Sequence, residues 1–213
     1  MKSQTINNDL MQAQTMINNT KKHPVIKQKL KDWGYGDPQI TRADTILANA
    51  KLAQQTKKES YSLKQIAVRT WRTEWTNFRQ QYAEHRTVAK TVFRQEPETL
   101  MRARLDRRVP NRISDILDQA GDFYEVVAPK SKEMQKLGIK AEELTQAQAN
   151  VASLSELHAE YLQQKGNAES ATDKRKQALA ELRTWLREFT KVAKMALKDD
   201  PQLLEVLGIV VPA

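Results

Sequence analysis

Two stretches decide how this chain is read. They are Val88-Ala89-Lys90-Thr91-Val92-Phe93-Arg94-Gln95-Glu96-Pro97 and Val192-Ala193-Lys194-Met195-Ala196-Leu197-Lys198-Asp199-Asp200-Pro201. They lie 104 positions apart, and each closes a helix-forming run with an acidic residue before proline. Proline disfavours helix in the residue before it and suits the first turn of a new one. Both stretches therefore read as a helix stop followed by a helix start. The same offset pairs Gly34 with Gly138, Thr41 with Thr145, Ala43 with Ala147, Ala48 with Ala152, Arg79 with Arg183, Glu84 with Glu188 and Leu100 with Leu204. At an offset of 105, His23-Pro24 meets Ala128-Pro129. Punctuation held at one spacing points to an internal duplication.

Working outward, each repeat reads as three long helices. In the first repeat they are expected over 3–32 with a kink near Pro24, over 39–58, and over 62–96. Gly34-Tyr35-Gly36-Asp37-Pro38 separates the first two, and Ser62 with Gln65 resembles a capping box opening the third. A short helix follows Pro97 and ends near Arg104. In the second repeat the expected helices are 111–136 with a break near Pro129, 141–164, 170–199 and 201–207. Gly138, Gly166 and Gly208 punctuate it. The division expected is repeat one at 1–104, a connector at 105–110 and repeat two at 111–213. The fold class is all-α: an antiparallel bundle of about six long helices with pseudo-twofold symmetry, built by tandem duplication of a three-helix unit. One merged domain or two units in series both fit the pattern.

Helical periodicity marks the core. At 100° per residue, Trp71, Trp75, Phe78, Tyr82, Ala89, Val92 and Phe93 share an arc of about 100°. Leu179, Leu182, Leu186, Ala193, Ala196 and Leu197 form the matching stripe, with Trp185 and Phe189 beside it. The second helices carry Ile40, Ala43, Leu47 and Ala50, and Leu144, Ala147, Val151, Leu154 and Tyr161. Trp33 and Tyr35 sit beside the glycine turn and are expected to pin it.

Composition excludes much. The 213 residues contain no cysteine, so disulfides, thiolate metal sites and cysteine nucleophiles are ruled out. That fits a reducing compartment, and a cytoplasmic location is the expectation. No run approaches the ~18 apolar residues of a membrane span. The opening MKSQTINNDLMQ lacks the apolar core of a secretory signal. The three histidines, His23, His85 and His158, sit on different helices without metal-ligand spacing, and no phosphate-cradling glycine loop or nucleophile elbow occurs. No catalytic residue, cofactor or metal site is assigned. The expectation is a non-enzymatic protein.

Charge is the departure from blandness. The net charge of +9 divides into +11 over residues 1–108 and −2 over 109–213. Arg69, Arg72, Arg79, Arg86, Lys90 and Arg94 share one helix face beside the aromatic stripe, and Arg102, Arg104, Arg107 and Arg108 follow, with Arg112 beyond. These cations are the candidate anion- or partner-binding residues. The first reading is a protein-interaction or scaffolding role, with a protein partner or a homo-oligomer. The alternative is a nucleic-acid-associated protein neutralising backbone phosphates through this face. Arginine stems covering apolar helix edges would produce the same stripe. Lys176, Arg183, Lys194 and Lys198 repeat part of it in the less basic half.

Overall fold

The computed structural model describes residues 3–210, and among them every regular element is helical. The order is α1 (Ser3–Lys22), α2 (Pro24–Asp32), α3 (Asp37–Val92), α4 (Pro97–Arg102), α5 (Ile113–Val127), a 3-10 turn (Ala128–Lys130), α6 (Ser131–Gln135), α7 (Ala141–Ala196) and α8 (Pro201–Val206). The kink expected near Pro24 is a full break. His23 caps α2, its Nδ1 accepting from the Ile26 N–H at 3.5 Å, and Pro24 occupies the first turn, where its missing N–H costs nothing.

Two expected breaks are absent. The helices expected at 39–58 and 62–96 are one 56-residue helix, α3, and those at 141–164 and 170–199 are one 56-residue helix, α7. In place of six long helices the chain has these two, with shorter ones around them. The reason is local. Residues 39–92 contain no glycine or proline, so nothing forbids helix at Glu59-Ser60-Tyr61, and the Ser62/Gln65 pattern lies inside α3. Serine and threonine are tolerated there because their hydroxyls return to the carbonyl four residues back, as Thr41 does to Asp37 and Thr172 to Ala168. Gly166 costs its helix about 1 kcal/mol relative to alanine, which a long helix absorbs.

Four helix ends share one cap. Beyond α2, α4, α6 and α8 a residue with positive φ turns the chain: Gly34, Arg104, Gly138 and Gly208. In each, the next N–H reaches back five residues: Tyr35 to Leu30, Leu105 to Leu100, Ile139 to Met134 and Ile209 to Leu204, at 2.8–3.3 Å. These caps also fold the following apolar side chain toward the helix. Arg104, at φ 48°, holds a conformation that costs an L-residue about 1–2 kcal/mol.

The described chain forms two compact units. Unit one combines the chain up to Tyr61 with the chain from Asn167, and unit two is Ser62–Gly166. This partition runs differently from the division of the sequence at 105–110. α3 and α7 each give one half to each unit. In unit one α3 and α7 run antiparallel, with Tyr35 edge-on to Phe189 at 5.7 Å and Gln54 accepting from Arg175 at 3.5 Å. Its core joins Met16 and Ile17 of α1, Leu30 of α2, Ala43 of α3, and Leu182 and Phe189 of α7. Trp33, expected to pin the turn, is half exposed instead, and Tyr35 alone packs. In unit two the helices are again antiparallel, and aromatic rings carry the core. Trp71, Trp75, Phe78 and Tyr82 stack in sequence at 5.2–5.9 Å, and Phe123 and Tyr124 of α5 close on Tyr82. The His158 ring covers Trp71 at 4.8 Å.

A Cβ built on Gly166 meets no atom within 4 Å. Gly166→Ala is therefore expected to raise unfolding stability in urea by about 0.5–1 kcal/mol, because it removes backbone freedom from the unfolded chain. A loss of stability would place a turn at residue 166.

Candidate functional site

The cationic stripe of α3 borders the buried face, and that border decides each side chain's fate. Core residues of α3 in unit two, among them Trp71, Phe78, Tyr82 and Ala89, face inward, as does Phe93 just beyond its end. Arg86 lies closest to them in angle and is drawn in, with only 5% of its surface exposed. Its Nη1 donates to the Tyr82 hydroxyl and to the Arg104 carbonyl, both at 3.2 Å, and Nη2 donates to the Arg107 carbonyl at 2.9 Å. Gln119 of α5, 3% exposed, completes the arrangement. Its Nε2 donates to the carbonyls of Arg104 (3.4 Å) and Arg108 (3.3 Å), while its Oε1 accepts from the Tyr82 hydroxyl at 3.4 Å. Three carbonyls of the non-helical connection are thus held by two buried side chains. Buried polar groups of this kind are stabilising only when all are satisfied, and they then fix one geometry.

The other candidates divide cleanly. Arg104 pairs with Asp118 at 2.7 Å and with Asp122. Arg69, Arg72, Arg79, Lys90, Arg94, Arg102, Arg107 and Arg108 are exposed. Among the described residues the one carboxylate pairing for these eight is the long 3.9 Å contact of Arg107 with Asp106. Arg86, Thr87 and Lys90 of α3 face Asp106, Arg107 and Arg108 across an open cleft of about 370 Å³, edged by Ala83 and Val109. A second cleft, of about 220 Å³, lies in unit one between Tyr35 of the turn before α3, Arg42 and Ile46 of α3, and Glu181, Trp185 and Glu188 of α7. Burial raises the Tyr35 hydroxyl's pKa there, with Glu188 adding to the effect. The buried Trp185 Nε1 has no hydrogen-bond partner.

Of the histidines, His85 is buried and its Nδ1 meets the Tyr124 hydroxyl at 3.2 Å. Desolvation pushes its pKa below the usual value, against a smaller opposing pull from Glu143 and Glu84. Burial likewise raises the pKa of Tyr82, against the nearby Arg86, and that of Tyr124. Among the described residues no group of three or more His, Asp or Glu side chains could hold a metal ion. No described helix is long and apolar enough to cross a membrane. Gln119 is absent from the sequence expectations, and Tyr82 enters them as a core ring of the aromatic stripe, with no partner for its hydroxyl. The available signal was Gln119 itself, a polar residue on a stripe formed by Ile116, Ala120 and Phe123. Comparison of the chain with known protein families, with curated proteins and with solved structures finds no match.

His85 gives a pH prediction. Its folded pKa is depressed, so the unfolded chain takes up the proton first as pH falls through about 6.5. The His85 contribution to stability is present above that value and is lost as pH drops through the lower folded pKa. Urea midpoints measured between about pH 7.5 and pH 5.5 should fall for the native chain, and His85→Gln should flatten that fall. Equal slopes for both proteins would show that His85 is not the titrating group.

Proposed function

We propose that this protein acts by binding rather than by catalysis, as a helical interaction or scaffolding protein that docks an acidic protein surface on unit two. The observation that carries this reading is the composition of one stretch of α3. Arg69, Arg72 and Arg79 stand exposed with no ion-pair partner among the described residues. Leu63 and Ile66, 52% and 60% exposed, lie within two turns of Arg69 on the same helix. Exposed arginine beside exposed aliphatic surface is the mixture found in protein interfaces, where arginine is enriched and lysine depleted. Opposite charge on the partner would steer its approach and set the register.

Nucleic acid is the second reading, since the same arginines would meet phosphates equally well. Two observations weigh against it. Trp71 is buried and Trp75 half-buried within the aromatic stack, so neither offers an open face to a base. The charge asymmetry of the sequence halves is also diluted in the compact units. Counted over the whole chain, unit one carries +6 and unit two +3.

We also infer that the chain arose by tandem duplication. The starts of α3 and α7 are 104 positions apart, as are those of α4 and α8, and both helices of each pair have equal lengths. The caps at Gly34 and Gly138, and at Arg104 and Gly208, keep the same spacing. Each compact unit then joins the first part of one copy to the last part of the other.

The test is fluorescence anisotropy with three probes: an acidic peptide containing leucines, polyglutamate, and a short DNA duplex. The leucine-containing peptide should bind most tightly. The combined change Arg69→Glu, Arg72→Glu and Arg79→Glu should weaken it about tenfold or more. Tighter binding of the duplex, with a steep loss between about 50 and 200 mM salt, would favour the nucleic-acid reading instead. No binding of any probe would overturn both.

A further inference from the structure

We propose that the cleft between α3 and the segment 103–112, which joins α4 to α5 in unit two, binds the diphosphate group of a small soluble molecule. The site uses Arg86, Lys90, Arg107 and Arg108 and is separate from the docking surface, because Arg69, Arg72 and Arg79 do not line it. It does not depend on that reading.

Arg86 is the first reason. A guanidinium this deeply buried is ordinarily balanced by a carboxylate, because removing an ion from water is expensive without a counter-charge. The partners that hold Arg86 are a phenol hydroxyl and two backbone carbonyls, all neutral. Among the described residues no carboxylate pairs with it. Its hydrogen bonds are well provided for while its charge is not, and the side chain lines an open cleft.

The second reason is what surrounds it. Lys90 stands one helical turn along the same face of α3 and is exposed. Arg107 and Arg108 enter from the other wall. The backbone that bears them is held in place, since the Arg107 carbonyl accepts from Arg86 and the Arg108 carbonyl from Gln119. The same two buried side chains therefore fix the backbone that carries these cations beside the cleft, while the exposed arginine side chains close on the ligand from it. Four cations face one carboxylate, Asp106, so the cleft carries an excess of three positive charges. Concave surfaces of one sign concentrate their field and attract small counter-ions.

Size and charge select the ligand. About 370 Å³ is at the small end of ligand pockets. A phosphate monoester carries about −1.5 to −2 near neutral pH, short of the excess. A diphosphate adds roughly one further negative charge and comes closer to matching it. Arginine forks suit the bidentate geometry of phosphate oxygens, and lysine adds a mobile point charge. Ala83 and Val109 form an apolar edge on which the uncharged remainder of the molecule would rest.

The experiment is isothermal titration of the full chain with inorganic pyrophosphate, inorganic phosphate and sulfate at low salt. Pyrophosphate should bind with a one-to-one ratio and at least about tenfold more tightly than phosphate or sulfate. The changes Lys90→Gln, Arg107→Gln and Arg108→Gln alter exposed side chains, so circular dichroism should show the helices intact, and together they should weaken pyrophosphate by more than about tenfold. The paired control Arg69→Gln and Arg72→Gln should leave it unchanged. The proposal is overturned if no pyrophosphate heat appears, if the three cleft changes leave affinity intact, or if the control weakens binding as much as they do. Binding to vesicles bearing a phosphorylated inositol headgroup, without binding to free pyrophosphate, would also overturn it in favour of a lipid.

Discussion

Everything in this fold depends on two helices that do not stop. α3 and α7 each run 56 residues, and each passes from one compact unit into the other without a turn. No residue over 39–92 forbids the hydrogen-bond ladder, and packing of α3 into the core of each unit stabilises it. Once the helices are continuous, neither unit can be assembled from one half of the chain. Unit one needs α1, α2 and the start of α3 together with the end of α7 and α8. Unit two needs the end of α3, α4, α5, α6 and the start of α7. The electrostatics follow from the same fact. A sequence divided into halves of +11 and −2 becomes two bodies of the same sign, and basic character survives as a local face on α3 and its connection.

Within unit two, a few tens of degrees on one helix separate structural cations from free ones. Arg86 falls at the border of the aromatic face and becomes a buried brace for the connection between α4 and α5. Arg69, Arg72 and Arg79 fall further round and remain in solvent. Arg104 occupies a left-handed cap, and its side chain pairs with two aspartates of α5. The basic residues grouped by the sequence thus end in three settings, two of them on the α3 stripe and one in the connection after α4. The distinction lies in what packs opposite, which a single helix pattern does not contain.

The legible parts of the sequence were those with a strong local cause. Pro24, Pro97, Pro129 and Pro201 each stand at a helix start or break, and Gly34, Gly138 and Gly208 each turn the chain with positive φ. The aromatic stripe of α3 is the core of unit two, with Trp75 and Val92 at its half-buried edge. Weak local causes misled. Ser62 with Gln65 resembles a cap but has no helix end to serve, and Gly166 is an ordinary cost inside a long helix. Arg104 hid a turn because arginine is not a turn residue. Gly208, 104 positions on, was the available clue. The arginine cleft was half legible: its residues were named, but that Arg86 and Gln119 together set its shape depends on contacts between α3, α5 and the connection.

The most direct test of the continuous helices is amide hydrogen exchange, read at single-residue resolution across residues 57–66 and 163–170. Unbroken helices predict protection there well above that of the Gly34-Tyr35-Gly36 turn, and continuous with the flanking residues of α3 and α7. Exchange at 59–62 and 165–169 as fast as at that turn would mean two breaks. The chain would then be a set of separate shorter helices, and the sharing of α3 and α7 between the units would not hold.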